Sequence, residues 1–419
     1  VTTSPGFGIA TAAGDAFTLT GTGGLAFTDL NGAAITGAAN GIAASNDGGG
    51  DLHITTTGRV TGTAAAGISA SNDGGGDLTI ETAAVTGGTY GIAGFNDGGG
   101  DLTVTATGAV SGAGDFGVVT RDLGAGSLSV TVTAVTGGRA ISAVNGGGGD
   151  LSVTATGTVT GTNAEGIYAN DTGAGALSID VAAVTGAKSG IAALNEGGGK
   201  LTIEAGGPVT GQGGAGISAV NLEGGGLEIA AAAVSGTTHG IVGRNFGVGD
   251  LRIEATGTVT GTLSDGVQAV NDGPGALTII TAAVSGGRYG IAAFNEAVGD
   301  LRVTATGAVT GGGAFGIVAR DRGVGALSIA ATHVTGGRAI SAVNDGGGRL
   351  SVTTTGTVTG TDNEGIYARD TGGGDLYLRV ATVQGATQGI AAINDGAGDL
   401  TVLASGLVSG TSASGLVAQ

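Results

Sequence analysis

The sequence predicts an all-β chain wound as a parallel β-helix (β-solenoid), with three strands per coil and about 16 coils of 23–26 residues. Three observations predict it. First, a Gly-Ile-like step recurs at Gly41, Gly67, Gly91, Gly117, Ala140, Gly166, Gly190 and Gly216, then again from Gly240 to Gly415. Second, the columns inside each unit hold. Eleven residues after every step from Gly41 to Gly389 stands a Leu, and seven or eight residues after that Leu stands a Val. Third, the segments alternate with period two, as in Leu102-Thr-Val-Thr-Ala106, which is the pattern of a strand with one buried face. A unit this short cannot bury its own apolar face, so copies must stack. At about 4.8 Å per coil, the stack would form a rod on the order of 75 Å long.

The elements follow in order. Residues 1–40 read as an irregular N-terminal coil or cap, in which Gly8-Ile9, Leu19 and Ile35 look like one more coil with an insertion. Residues 41–239 form a first block of eight coils, and 240–419 form a copy of it at a 199-residue offset, truncated at its end. The copy is visible where Gly138 to Asn145 returns as Gly337 to Asn344. Within a coil the stretch from step to Leu is invariant, so the alternation of 26 and 24 residues must arise in the other two corners. Longer coils carry Gly two positions before the Val, at Gly58, Gly108, Gly157 and onward. A glycine-permitted bulge is expected there. The chain starts at Val1 and stops inside a coil at Gln419, as expected of an excerpt from a longer protein.

Composition excludes several classes. Glycine contributes 95 of 419 residues. Collagen requires Gly at every third position and abundant Pro, and the chain has three Pro in all. Disorder requires low hydrophobicity, whereas 41% of residues are apolar. Helical domains tolerate glycine poorly, at roughly 1 kcal/mol per position. A net charge of −18 disfavours a nucleic-acid partner, which needs clustered Lys and Arg. Without cysteine there are no disulfides or thiolate metal sites. No apolar run approaches the ~20 residues of a membrane helix.

Several columns could carry function. Five residues after each step from Gly41 to Gly389 stands Asn or Asp, from Asn46 to Asn394. We read this column as structural: a turn residue that tolerates left-handed geometry, its amide bonding to neighbours above and below. The run Asn46-Asp-Gly-Gly-Gly-Asp-Leu52 is similar to a calcium-binding nonapeptide. Its period is wrong for calcium, however, and the second acid becomes Ser127, Lys200 or Arg349 elsewhere. No cofactor is expected, with calcium the alternative. Paired Thr positions such as Thr103 and Thr105 suggest an ice-binding face, but only four of fifteen coils keep both hydroxyls, and Asp180, Glu204, Arg252 and Arg379 interrupt them. An outward column four residues after the step holds Phe95, Arg121, Arg244, Phe294, Arg320 and Arg369, with Tyr168 and Tyr367 two residues earlier on the same face. Aromatic, aliphatic and Arg residues on one face fit a partner-contact surface; packing between coils is the competing reading. His53, His239 and His333 lie in different columns and form no catalytic set.

Units such as Gly91 to Gly112, of the form G-I-x-A-x-N-D-G-G-G-D-L-T-V-T-A-T-G-x-V-T-G, resemble the passenger repeats of bacterial autotransporters, the type V secreted surface proteins. The resemblance covers roughly residues 41 to 419. It implies a right-handed β-helix, passage through the outer membrane, and an adhesive or fibre role at the bacterial cell surface. The C-terminal membrane barrel of that family is not in this chain. The expected function is therefore a non-enzymatic, extracellular stalk or adhesin segment. Its partner would be a host or neighbouring-cell surface protein or glycan, or another copy of the chain. The alternatives are a self-assembling surface filament or layer subunit, and a polysaccharide-binding or polysaccharide-cleaving β-helix.

Overall fold

The computed structural model describes residues 1–3 and 7–419. Every regular element among them is a β-strand, and all strand pairs are parallel. The chain divides into two compact units, Val1–Gly207 and Pro208–Gln419. Each is a stack of β-solenoid coils. The block boundary read from the 199-residue offset, at 239/240, falls inside the second unit.

One coil of the first unit shows the construction. Its step strand is Ala66–Asn72, its leucine strand Leu78–Thr82 and its valine strand Val85–Gly87. Each strand pairs only with its counterparts in the coils before and after, so like residues meet like. Leu52, Leu78, Leu102, Leu128, Leu151 and Leu177 are consecutive partners in the first unit. Leu227, Leu251, Leu277, Leu301 and Leu327 do the same in the second. All of these are fully buried. The core is therefore a set of ladders, Ile and Ala from the step strand, Leu and Ile or Val from the leucine strand, and Val from the third. Burying each Leu or Ile contributes roughly 1.5–3 kcal/mol, against the entropy of fixing a chain with many glycines.

Two details depart from the sequence reading. In four consecutive coils of the first unit the leucine and valine segments run on as one bent strand: Leu102–Gly112, Leu128–Gly137, Leu151–Gly161 and Leu177–Gly186. Leu301–Gly311 and Leu327–Gly336 repeat this in the second. The pairing register slips between Ala106 and Ala109, and again between Ala155 and Thr158. The longer coil carries one more residue there than its shorter neighbour, which is the bulge that Gly108 and Gly157 were expected to permit.

The second departure is at the N-terminus. Gly8-Ile9 is not a step: Ile9 pairs with Ile35, and Ile35 pairs with Val60, which places both in the valine column. Phe17 takes the isoleucine position opposite Ile42, and Leu25 rather than Leu19 stands in the leucine column opposite Leu52. The true step is Ala16-Phe17, hidden because neither residue matches Gly-Ile. The larger Phe17 ring is accommodated by stacking on Phe27 at 4.1 Å between centroids.

Candidate functional site

The step strands form one sheet in each unit, and its outward side carries the expected contact residues. In the first unit Phe95, Arg121, Val144, Asn170 and Leu194 are successive partners in one column. In the second, Val220, Arg244, Val270, Phe294, Arg320, Val343, Arg369 and Ile393 are. Tyr168 and Tyr367 point outward from the neighbouring column. The arginines are not idle. Arg121 pairs with Asp97 at 3.0 Å and lies 5.5 Å from the Phe95 ring centroid. Arg320 pairs with Asp345 at 2.6 Å and Arg369 with Asp395 at 2.8 Å. Arg244 differs: it donates to the Gln268 amide oxygen at 3.2 Å. Packing between coils thus accounts for much of what Arg121, Arg320 and Arg369 do, while Phe95, Phe294, Tyr168 and Tyr367 remain partly open to solvent.

A second column, one residue before the step, lies outside the contact face expected from the sequence. Tyr90, Phe116 and Arg139 are consecutive partners, and so are Tyr289, Phe315 and Arg338. Arg139 lies 4.8 Å from the Tyr168 ring and 5.7 Å from the Phe116 ring, and binds Glu165 at 2.6 Å. Arg338 repeats this with Tyr367 at 4.8 Å, Phe315 at 5.6 Å and Glu364 at 2.7 Å. Burial works to raise the Glu165 carboxyl, but the hydrogen bond and charge of Arg139 outweigh it and hold it below its ordinary range. The available signal was the 199-residue repetition of Tyr, Phe, Arg and Glu at this position.

The second unit adds a network with no counterpart in the first block. Arg288 donates from Nε and Nη2 to the two carboxylate oxygens of Asp265, both at 3.0 Å, and covers the Tyr289 ring at 4.2 Å. Asp265 is fully buried. Gln268 Nε2 donates to Asp265 Oδ2 at 3.4 Å, and Arg244 donates to Gln268. The Asp265 hydrogen bond raises the Arg288 guanidinium still further, so its charge is fixed. His239 titrates below its ordinary value, first because it is buried, with Arg288 and Arg244 adding to the effect and Asp265 opposing it.

The Asn/Asp column points inward. Its members from Asn46 to Asp370 are fully buried. Asn46 Nδ2 donates to the Gly50 carbonyl at 2.5 Å and to Asn72 Oδ1 at 2.9 Å. Asn221, Asn245, Asn271 and Asn295 continue the pattern, each giving its amide to the next coil. The expected left-handed geometry is corrected: no described non-glycine residue has positive φ. The amide earns its place by closing the corner and linking coils, not by backbone conformation. Asp interrupts the ladder because its second oxygen cannot donate. Asp122, Asp171, Asp321 and Asp370 each leave Oδ2 buried without a partner, and Asn344 Oδ1, next after Asp321, is also unmet.

The second acid of the nonapeptide-like run also has a structural task. Asp51 Oδ1 accepts the Asp77 N–H at 3.0 Å, Asp77 Oδ1 accepts the Asp101 N–H at 2.9 Å, and Asp101 Oδ1 accepts the Ser127 N–H at 2.8 Å. Among the described residues no group of three or more His, Asp or Glu side chains is gathered as a metal set. No described helix is long and apolar enough to cross a membrane. No protein-family model, curated protein or solved structure matches the chain.

Proposed function

We propose that this chain is a non-enzymatic, extracellular segment of a bacterial surface protein, serving as a β-solenoid stalk whose outward step sheet is an adhesive surface. One observation carries the reading. The outward trio Phe95, Arg121 and Tyr168 recurs 199 residues later as Phe294, Arg320 and Tyr367, on the same sheet of the second unit. A surface that meets a repetitive partner benefits from repeated presentation, because two weak contacts on one scaffold combine by effective concentration. Aromatic and Arg side chains are also the residue types that dominate contact energies.

The test is surface binding. Labelled protein should bind target cells or an arrayed glycan panel saturably, and Arg121→Ala combined with Arg320→Ala should weaken that binding by about tenfold. Unchanged affinity in the double variant would remove this face as the contact. Lyase or hydrolase activity on a polysaccharide panel, without saturable binding, would favour the enzymatic alternative instead.

A further inference from the structure

The two blocks are near copies, so positions where they differ chemically are informative. Five changes fall together in the second unit. Asn40, just before the first block, and Ser45, Ala66, Ser69 and Thr89 within it become His239, Arg244, Asp265, Gln268 and Arg288 at the 199-residue offset. A sixth, Asp47 to Phe246, lies two residues after Arg244, just beyond the end of the strand Ile241–Asn245. The first-block set carries one negative formal charge, from Asp47; the second-block set carries one positive charge, from Arg244 and Arg288 against Asp265. That reversal occurs in a chain of net charge −18.

The changes are linked in space. Hydrogen bonds run from Arg244 to Gln268, from Gln268 to Asp265 and from Arg288 to Asp265. Asp265 is fully buried. A buried ion pair is a poor way to gain stability, because desolvation offsets the attraction. The first block folds the same coil with Ala66 at that position. Stability alone therefore does not explain the network; holding the outer groups in place does. Those outer groups are complementary to one ligand chemistry. Arg244 is exposed, and it donates to a neutral amide rather than to a carboxylate of the kind that engages Arg121, Arg320 and Arg369. Phe246 is 44% exposed two residues further on.

We infer that Arg244, Phe246 and Gln268, held by Asp265 and Arg288, form a binding site for a carboxylate-bearing saccharide. The Arg244 guanidinium takes the carboxylate, for which its planar fork is suited. The Phe246 ring offers an apolar face to the C–H side of the pyranose, and the Gln268 amide and His239 serve hydroxyls. The inference deepens the adhesive reading by naming a ligand class, but it does not depend on the Phe95, Arg121 and Tyr168 face.

The test uses the full chain and oligogalacturonate as the probe, measured by calorimetry at low salt. The comparison variant is Arg244→Ser with Phe246→Asp and Gln268→Ser, which installs the first-block residues and so is compatible with the fold. Binding to the parent chain, weakened at least tenfold in the variant with an unchanged unfolding midpoint, is the expected result. Binding should also be lost when the probe's carboxylates are methyl-esterified. No binding of oligogalacturonate, or equal binding by the variant, overturns the site. Equal affinity for a poly-glutamate peptide overturns the saccharide assignment. If oligogalacturonate binds as expected but no cell or glycan surface is bound by the whole chain, the adhesive reading fails and this site stands. If surfaces are bound equally by parent and variant and oligogalacturonate by neither, the reverse holds.

Discussion

At the scale of single residues, the buried aspartates of the inward ladder have a measurable signature. Asp122, Asp171 and Asp321 are each pushed up to about 6. Burial is the first cause in all three. Nearby carboxylates add to it: Asp101 and Asp97 at Asp122, Asp150 at Asp171, Asp300 and Asp345 at Asp321. Backbone N–H groups of Gly124, Gly173 and Gly323 oppose it. A folded-state value above the unfolded one means the folded chain holds the proton more tightly. The stabilisation is therefore complete below about pH 4 and is lost as pH rises through about 6. Asp→Asn at these three positions restores a donor in place of Oδ2. Each should raise stability at pH 8 by about 1–3 kcal/mol and flatten the profile between pH 4 and 7, as read by urea unfolding. A variant profile parallel to the parent's would show that these carboxyls do not titrate in that window. Glycine sets the other residue-scale limit. A Cβ on Gly240 would stand 2.5 Å from both the Gly266 carbonyl oxygen and Val259 Cγ1, whereas one on Gly347 meets nothing within 4 Å. Gly240→Ala should cost roughly 1–3 kcal/mol, and Gly347→Ala should stay within about 0.5 kcal/mol, in the same denaturation assay.

At the scale of strands and coils, the columns made the fold legible. An invariant eleven-residue spacing from step to Leu admits one register, because a slip by one residue would turn Leu52, Ile54 and Thr56 out of the core. The features that escaped were those for which identity and position disagree. Ala16-Phe17 does the work of Gly-Ile, and the leucine and valine segments run on as one bulged strand over Leu151–Gly161 instead of breaking at the corner. The column before the step escaped for a different reason. It lies where the chain leaves a corner, so its alternation with the strand cannot be read until the strand is seen to begin early, at Tyr90 or Arg139. That column supplies its own prediction. Arg139 holds Phe116, Tyr168 and Glu165 together across neighbouring coils. Arg139→Ala should lower stability by about 1–2 kcal/mol, since it removes a part-buried ion pair, in which Nε and Nη2 both donate to Glu165 Oε2, and two ring contacts. Arg139→Lys should recover less than half, because an ammonium cannot make the planar contacts. Equal stability of the Lys variant and the parent would assign the whole effect to charge.

At the scale of the whole molecule, stacking multiplies whatever charge a column carries. A solenoid places each residue about 4.8 Å from its counterpart in the next coil. Asp51, Asp77 and Asp101 follow one another in the first unit, and Asp47, Asp73 and Asp97 flank them four positions earlier. In a protein of net charge −18, such rows repel themselves, and the N–H groups that the inner row accepts offset only part of that repulsion. Screening should therefore stabilise the fold. The Debye length falls from about 30 Å at 0.01 M salt to about 3 Å at 1 M, so the thermal midpoint should climb with NaCl and level off once the length is shorter than a few coils. Calcium separates general screening from a specific site. An ion held between acidic rows would raise the midpoint at concentrations too low to alter ionic strength, and chelator would reverse it. The acids here already accept backbone N–H groups, and Lys200 and Arg349 stand in the same column. Calcium should then raise the midpoint no more than magnesium at matched ionic strength. A calcium-specific rise at micromolar concentration would instead show that these rows bind the ion, and that the N–H contacts are a scaffold for it.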